Sequence, residues 1–142
     1  MLTEIQQFYD YLFDDLKEYI SSNSQYKPYI FKKEPEDKLF PLVVIKEMPR
    51  NGVSTTLNYT DYKYTFALEI NVYSLTNNGI AGKTICKEVS DLIERYFYDK
   101  YRMNVMITPN ATNIDSSVDR TLIHVDCTLD AKYKDKLIIY PQ

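Results

Sequence analysis

The chain reads as an α+β domain, a mostly antiparallel sheet with two amphipathic helices packed on one face. Three observations lead there. In stretches 3–21 and 83–100 apolar residues recur at spacings of three and four, which lines up one face of a helix. In stretches 62–74 and 121–131 apolar and polar residues alternate one by one, the period of a strand with one dry and one wet face. The remaining segments are short, without repeats or a linker, so residues 1–142 make a single domain in the order α-β-β-β-α-β-β.

Each element has its own warrant. Leu2, Ile5, Phe8, Leu12, Leu16 and Ile20 form the stripe of the first helix, Thr3 with Gln6 fits a capping box, and the polar run Ser21-Ser22-Asn23-Ser24 ends it. A short strand over 29–32 precedes a charged turn around Pro35, and 39–47 is the second strand, with Leu42, Val43, Val44 and Ile45 buried. Residues 48–58 form the longest loop, or the tip of a projecting hairpin if 59–65 extends the next strand outwards. In the third strand Tyr64, Phe66, Leu68, Ile70 and Val72 alternate with Lys63, Thr65, Ala67, Glu69 and Asn71. After a glycine-containing turn, Ile85, Val89, Leu92, Ile93, Tyr96 and Phe97 line the second helix. A strand over 102–108 stops at Pro109, and 110–119 is polar and turn-rich. The next strand puts Ile123, Val125, Cys127 and Leu129 on one face, with His124, Asp126, Thr128 and Asp130 on the other. Residues 137–140 read as a last short strand that closes the list.

Composition excludes several classes. The net charge of −3, with Lys32-Lys33 followed at once by Glu34, Glu36 and Asp37, argues against a protein that grips nucleic-acid phosphates. Apolar runs of a few residues provide no membrane span, and Met1-Leu2-Thr3-Glu4-Ile5 lacks the basic start and apolar core of a signal peptide. Cys86 and Cys127 fall on apolar-facing positions far apart, so two buried free thiols and a reducing cytoplasm are expected rather than a disulfide. There are 14 Tyr against 6 Phe and no Trp. Such a surplus suits half-buried positions and protein contact surfaces, and a low-GC coding bias would produce it too.

The turn before the second helix ends Gly82-Lys83-Thr84, the tail of a P-loop. In a P-loop, G-x-x-x-x-G-K-[ST], backbone N–H groups surround the phosphates while Lys and Ser/Thr reach phosphate and Mg²⁺. Here Asn77 stands where the first glycine belongs, the preceding strand alternates instead of being wholly apolar, and Leu42-Val43-Val44-Ile45 runs into Lys46-Glu47 without a Mg²⁺-holding Asp. Asn77-Asn78-Gly79 is more simply a turn. The one histidine, His124, has Asp126 two residues on, but such side chains start about 7 Å apart, too far for a direct hydrogen bond. One His and two core-facing Cys cannot make a zinc set. Asp14-Asp15 reads as the solvated side of the first helix, and Lys87–Asp91 and Asp91–Arg95 as surface i,i+4 pairs. No catalytic, cofactor-binding or metal residue emerges.

The order of these pieces resembles the tail terminator (tail completion) proteins of long-tailed bacteriophages. The resemblance rests on the N-terminal amphipathic helix, then Phe40-Pro41-Leu42-Val43-Val44-Ile45-Lys46-Glu47, then Tyr64-Thr65-Phe66-Ala67-Leu68-Glu69-Ile70-Asn71-Val72-Tyr73-Ser74, a turn, a helix carrying Lys87-Glu88-Val89-Ser90-Asp91-Leu92-Ile93, and a final strand over 120–130 that closes the sheet. It covers nearly the whole chain by order rather than by a signature motif. It implies a structural virion protein without catalysis or cofactor. Such a protein forms a ring, usually hexameric, that caps the tail tube and meets the head-completion or connector protein. It is assembled in the host cytoplasm and ends in the virion tail or neck.

Contacts in such a ring fall to the two long polar segments the core does not explain, 48–58 and 110–119: Arg50, Asn51, Val53, Leu57, Tyr59, Asn110, Asn113 and Asp115. The acidic balance suits a lumen through which DNA slides without specific binding. Two alternatives stand beside this reading. One is a head–neck adaptor or stopper of similar size. The other is a small ligand-binding or regulatory module using the sheet face of Tyr62 and Tyr64, from which strand parity excludes Tyr73.

Overall fold

The computed structural model describes residues 2–33, 35–36, 39–48, 54–57, 61–77, 79–113, 115, 117–132 and 137–138; at 2–7, 9, 54–57, 61–66, 128–132 and 137–138 it describes the backbone alone. The elements are α1 (Leu2–Asn23), β1 (Tyr29–Phe31), β2 (Leu42–Glu47), β3 (Ser54–Leu57), β4 (Asp61–Ser74), α2 (Gly82–Tyr101), β5 (Asn104–Thr108), β6 (Asp119–Lys132) and β7 (Leu137–Ile138). They build one sheet in the order β1-β2-β4-β6-β5, with β3 beside β4 and β7 beside β6. The class is α+β, as predicted.

The axis of the sheet is the β4–β6 pair, antiparallel in unbroken register from Asp61↔Lys132 to Ser74↔Asp119. Alternation sends Leu68, Ile70 and Val72 of β4, Ile123, Val125 and Cys127 of β6, and Val43 and Ile45 of β2 to one side. There they join Phe8, Leu12, Leu16 and Ile20 of α1 and Ile85, Val89, Ile93 and Phe97 of α2 in a single buried cluster. Full burial of each such aliphatic or aromatic side chain contributes about 1.5–3 kcal/mol, so this layer carries most of the stabilisation. Cys86 and Cys127 are both buried, and burial pushes the Cys86 thiol up to about 12.

The structure departs from the sequence reading in four places. The sheet is mixed, because β1 pairs with β2 in parallel. Residues 54–57 are a strand, paired antiparallel to β4 from Ser54↔Thr65 to Leu57↔Tyr62, so the hairpin alternative for 48–58 holds over that stretch. β6 does not close the sheet: it lies between β4 and β5, and β5 is the outer strand. The strand predicted from Arg102 begins at Asn104, because Arg102 adopts a left-handed conformation (φ 55°) that ends α2, its N–H donating to the Tyr98 carbonyl and the Met103 N–H to the Phe97 carbonyl. This C-terminal cap ordinarily uses glycine. Arg102 sets its guanidinium 5.0 Å from the centre of the Tyr98 ring.

Part of the tyrosine surplus is used between the helices. Tyr96 is fully buried and meets Tyr19, Phe97 and Tyr101 edge-on at centroid distances of 5.4, 5.2 and 5.7 Å. Its hydroxyl donates to Asp15 Oδ2 at 2.6 Å, and Lys100 pairs with the same carboxylate while donating to Tyr11 Oη at 2.5 Å. Asp15, which the sequence places on a solvated face, is therefore the polar link between α1 and α2. Burial acts to raise its pKa, but the hydrogen bonds from Lys100 and Tyr96 outweigh it and leave the carboxyl below its ordinary 3.8. Burial acts to lower the Lys100 pKa, and the bonds to Asp15 and Tyr11 more than offset this and raise it. Lys100 is 38% exposed, so solvent screening limits the ion pair to about 0–1 kcal/mol, and the shielded Tyr96–Asp15 bond is the stronger contribution.

Replacing Tyr96 by Phe is expected to lower unfolding stability at pH 7 by about 1.5–3 kcal/mol, read from urea denaturation. The Asp15 pKa is depressed in the folded state, so its contribution is present above 3.8 and is lost as pH falls through the lower folded value. The gap between the parent and Tyr96→Phe should therefore persist down to mild acid and narrow only below pH 3.8.

Candidate interaction surface on the open sheet face

Among the described residues no helix packs on the other face of the sheet. Strand register arranges its side chains in rows across the strands. One row runs Tyr29, Leu42, Tyr73, Arg120; the next Phe31, Val44, Asn71, Leu122, Thr108; the third Lys46, Glu69, His124, Met106. Leu42 and Val44 are buried although no helix covers them, and neither belongs to the core cluster under the helices. Around them Tyr29, Phe31 and Met106 are exposed at 38%, 37% and 69%. This face thus holds a second, smaller apolar layer with an outward aromatic and methionine rim.

A polar thread crosses the same face. Asn71, 2% exposed in the middle of β4, donates from Nδ2 to Glu69 Oε2 at 3.1 Å and accepts from Arg120 Nε at 2.8 Å. Arg120 also donates from a terminal nitrogen to the Thr112 carbonyl at 2.6 Å, which fastens the β5–β6 connection to the sheet. That connection is internally braced. Asn113 Nδ2 donates to the carbonyls of Asp115 and Val118 at 3.1 and 3.4 Å, and Asp115 Oδ1 accepts from the Ser117 hydroxyl and backbone N–H at 2.6 and 3.0 Å. These two bonds from Ser117 hold the Asp115 carboxyl below its ordinary range. Between this braced segment and the sheet lies a cavity of about 540 Å³, walled by Phe40, Leu42, Tyr73, Leu75 and Val118 with Arg120 at its side.

The predicted contact residues divide. Asn113 and Asp115 border this cavity. Asn110, at a left-handed φ of 53°, lies instead beside a separate cavity against Lys83 and Ser90 of α2. Leu57 is in β3, which flanks the far half of β4, whereas the 110–118 segment packs at the Ser74 end. The described residues of the two segments thus lie toward opposite ends of the β4–β6 pair. Arg50, Asn51, Val53 and Tyr59 lie outside the described residues.

One chemical reading changes with the geometry. His124 Nε2 is 3.1 Å from Asp126 Oδ1, because the two side chains lean together along the strand and close the spacing that parity alone leaves too wide. No nucleophile adjoins them in this row, and among the described residues no three His, Cys, Asp or Glu side chains converge as metal ligands. At the head of α2 the P-loop tail is packed, not open. Asn77 and Ile80 exchange two backbone hydrogen bonds at 2.9 Å around Gly79 (φ 77°), Gly82 N–H donates to Thr76 Oγ1 at 3.3 Å, and the Gly82 α-carbon sits against the Asp119 carboxylate and the Ser74 carbonyl. The positive end of the helix dipole therefore already faces a fixed anion.

No protein-family model matches this chain, and no curated protein sequence matches it. No helix among the described residues is long and apolar enough to cross a membrane.

Arg120, Asn71 and Phe40 escaped sequence reasoning. The available signal was Asn71, a polar residue between Ile70 and Val72 in the most apolar part of β4. The cavity also uses Tyr73 on the face opposite the one proposed for Tyr62 and Tyr64, whose side chains lie outside the description.

Asn71→Leu should lower stability by about 1–3 kcal/mol in denaturant unfolding, since it strips the acceptor from Arg120 Nε in a shielded position. Gly82→Ala should cost about 1–3 kcal/mol, because the new Cβ would lie 3.0 Å from the Ser74 carbonyl oxygen and press on Asp119. A fully open phosphate loop would instead tolerate that alanine in apo-protein melting.

Proposed function

We propose that the chain is a structural subunit of a phage tail, a tail terminator that closes into a ring on the tail tube and meets the head connector. The observation that carries this reading is a sheet whose two outer strands among the described residues, β1 and β5, are non-equivalent and lie on opposite sides of a face that no described helix covers, rimmed by Tyr29, Phe31 and Met106. A ring needs two different surfaces on each subunit that meet head to tail and close under rotation. An unpaired strand edge supplies backbone donors and acceptors for such a contact, and the aromatic and methionine rim supplies apolar area. The net charge of −3 supports a wall that DNA passes without adhering. The work is geometric and asks for no catalytic group. A head–neck adaptor would share these features and differ in binding the connector but not the tube.

Light scattering on the purified chain, alone and mixed with the tail-tube protein of the same genome, tests the reading, with electron microscopy of the mixture. The expected outcome is a species at an integral multiple of 16.8 kDa, and tubes that carry a ring at one end and stop growing. Met106→Glu and Phe31→Glu should abolish the ring while leaving the melting temperature of the monomer unchanged. A chain that stays monomeric in both settings and leaves tube growth unaffected overturns the proposal.

A further inference from the structure

We propose that the cavity beside Arg120 binds a small monocarboxylic acid with an aliphatic or aromatic body. The inference stands apart from the ring reading and uses only the chemistry of the cavity walls. Arg120 carries five N–H donors. Among the described residues it makes two bonds, both to neutral acceptors, Asn71 Oδ1 and the Thr112 carbonyl, and no carboxylate there pairs with it. The guanidinium is therefore a held cation with donors to spare and no ion-pair partner among the described residues. Its holder is rigid: Asn71 is buried in the central strand and is itself tied to Glu69. An arginine fixed in this way loses little freedom when it takes up a carboxylate in its fork.

The other walls define the body of the ligand. Phe40, Leu42, Tyr73, Leu75 and Val118 make an apolar lining, and about 540 Å³ is in the size range of small-molecule sites. Five such side chains beside one cation, with Thr112, Asn113, Asp115 and Ser117 as the polar remainder of the wall, suit a molecule with a hydrocarbon body and one anionic end. The charge of that end is decided by Asp115 at the rim, whose carboxylate is kept ionised by the two bonds from Ser117. A phosphate dianion would meet that fixed negative charge at twice the strength a carboxylate does. A neutral molecule would leave the guanidinium uncompensated as apolar atoms displace its water.

Titration of the full chain with 3-phenylpropionate, followed by calorimetry and by backbone amide signals, is the test. Binding should perturb the amides of Thr112, Asn113 and Arg120, and the acid should bind about tenfold or more tightly than 3-phenylpropionamide or phenyl phosphate, the range expected for one charge-assisted contact. Arg120→Gln should weaken binding by about the same factor. Because Arg120 also braces the sheet, Leu75→Trp serves as a second variant: it fills the cavity from a partly exposed position without touching the guanidinium, and should abolish binding. The proposal is overturned if 3-phenylpropionate does not bind, if the amide or the phosphate ester binds as well, or if Leu75→Trp binds normally. It is also overturned if a peptide with a free C-terminal Phe binds where the small acid does not.

Discussion

The unbroken pairing of β4 with β6 is the constraint from which the rest of the structure follows. Because side chains alternate strictly along both strands, one register decides for every residue whether it meets the helices or the open face. A slip of one position in either strand would carry that strand's core residues, Ile70 and Val72 or Ile123 and Val125, out of the core and put Glu69 and Asn71, or Arg120, into it. The large apolar layer under α1 and α2 pins the register. The smaller polar and aromatic assembly on the other side inherits its geometry from that pin, so the cavity and the core are two readings of one ladder.

How much of this was legible in the sequence follows from how local each signal is. Helix α2 announces itself through Ile85, Val89, Leu92, Ile93, Tyr96 and Phe97, and the central strands through their alternation; both signals lie within one element. Parity also places Tyr73 and His124 on the face away from the helices. What parity cannot supply is the lateral neighbour. Asp15 looks like a surface residue from helix 1 alone, and becomes the link between helices only because Tyr96 and Lys100, some eighty positions later, are set against it. Arg120 likewise looks like the ordinary start of a strand until Asn71 and Thr112 are brought to it. The placement of the two predicted contact segments shows the same limit. Each is long and polar on its own, but only the topology puts β3 at one end of the ladder and the Asn113–Asp115 stretch at the other.

The distribution of tyrosine follows a division of labour within one residue type. Tyr19, Tyr96 and Tyr101 give ring area to the helix interface, and the Tyr96 hydroxyl satisfies a half-buried carboxylate that phenylalanine would leave wanting. The buried Tyr26 donates its hydroxyl to the exposed Glu88 carboxylate at 2.6 Å. Tyr29 stands on the outer face, where its ring is available to a neighbour. The surplus is therefore partly a means of building a core with polar connections and partly an aromatic rim, and the two uses lie on opposite sides of the sheet.

The packing of Gly82 against Ser74 and Asp119 has a kinetic side. Ser74↔Asp119 is the pair of the ladder with the least chain between its partners, and the separation grows with every step out to Asp61↔Lys132. Closing a loop costs more entropy the longer it is, so zippering of the two strands starts most cheaply at this end. The missing side chain at Gly82 lets the head of α2 settle directly on that starting pair. The same close approach that leaves no room for a phosphate thus sits where the sheet can first be tied together.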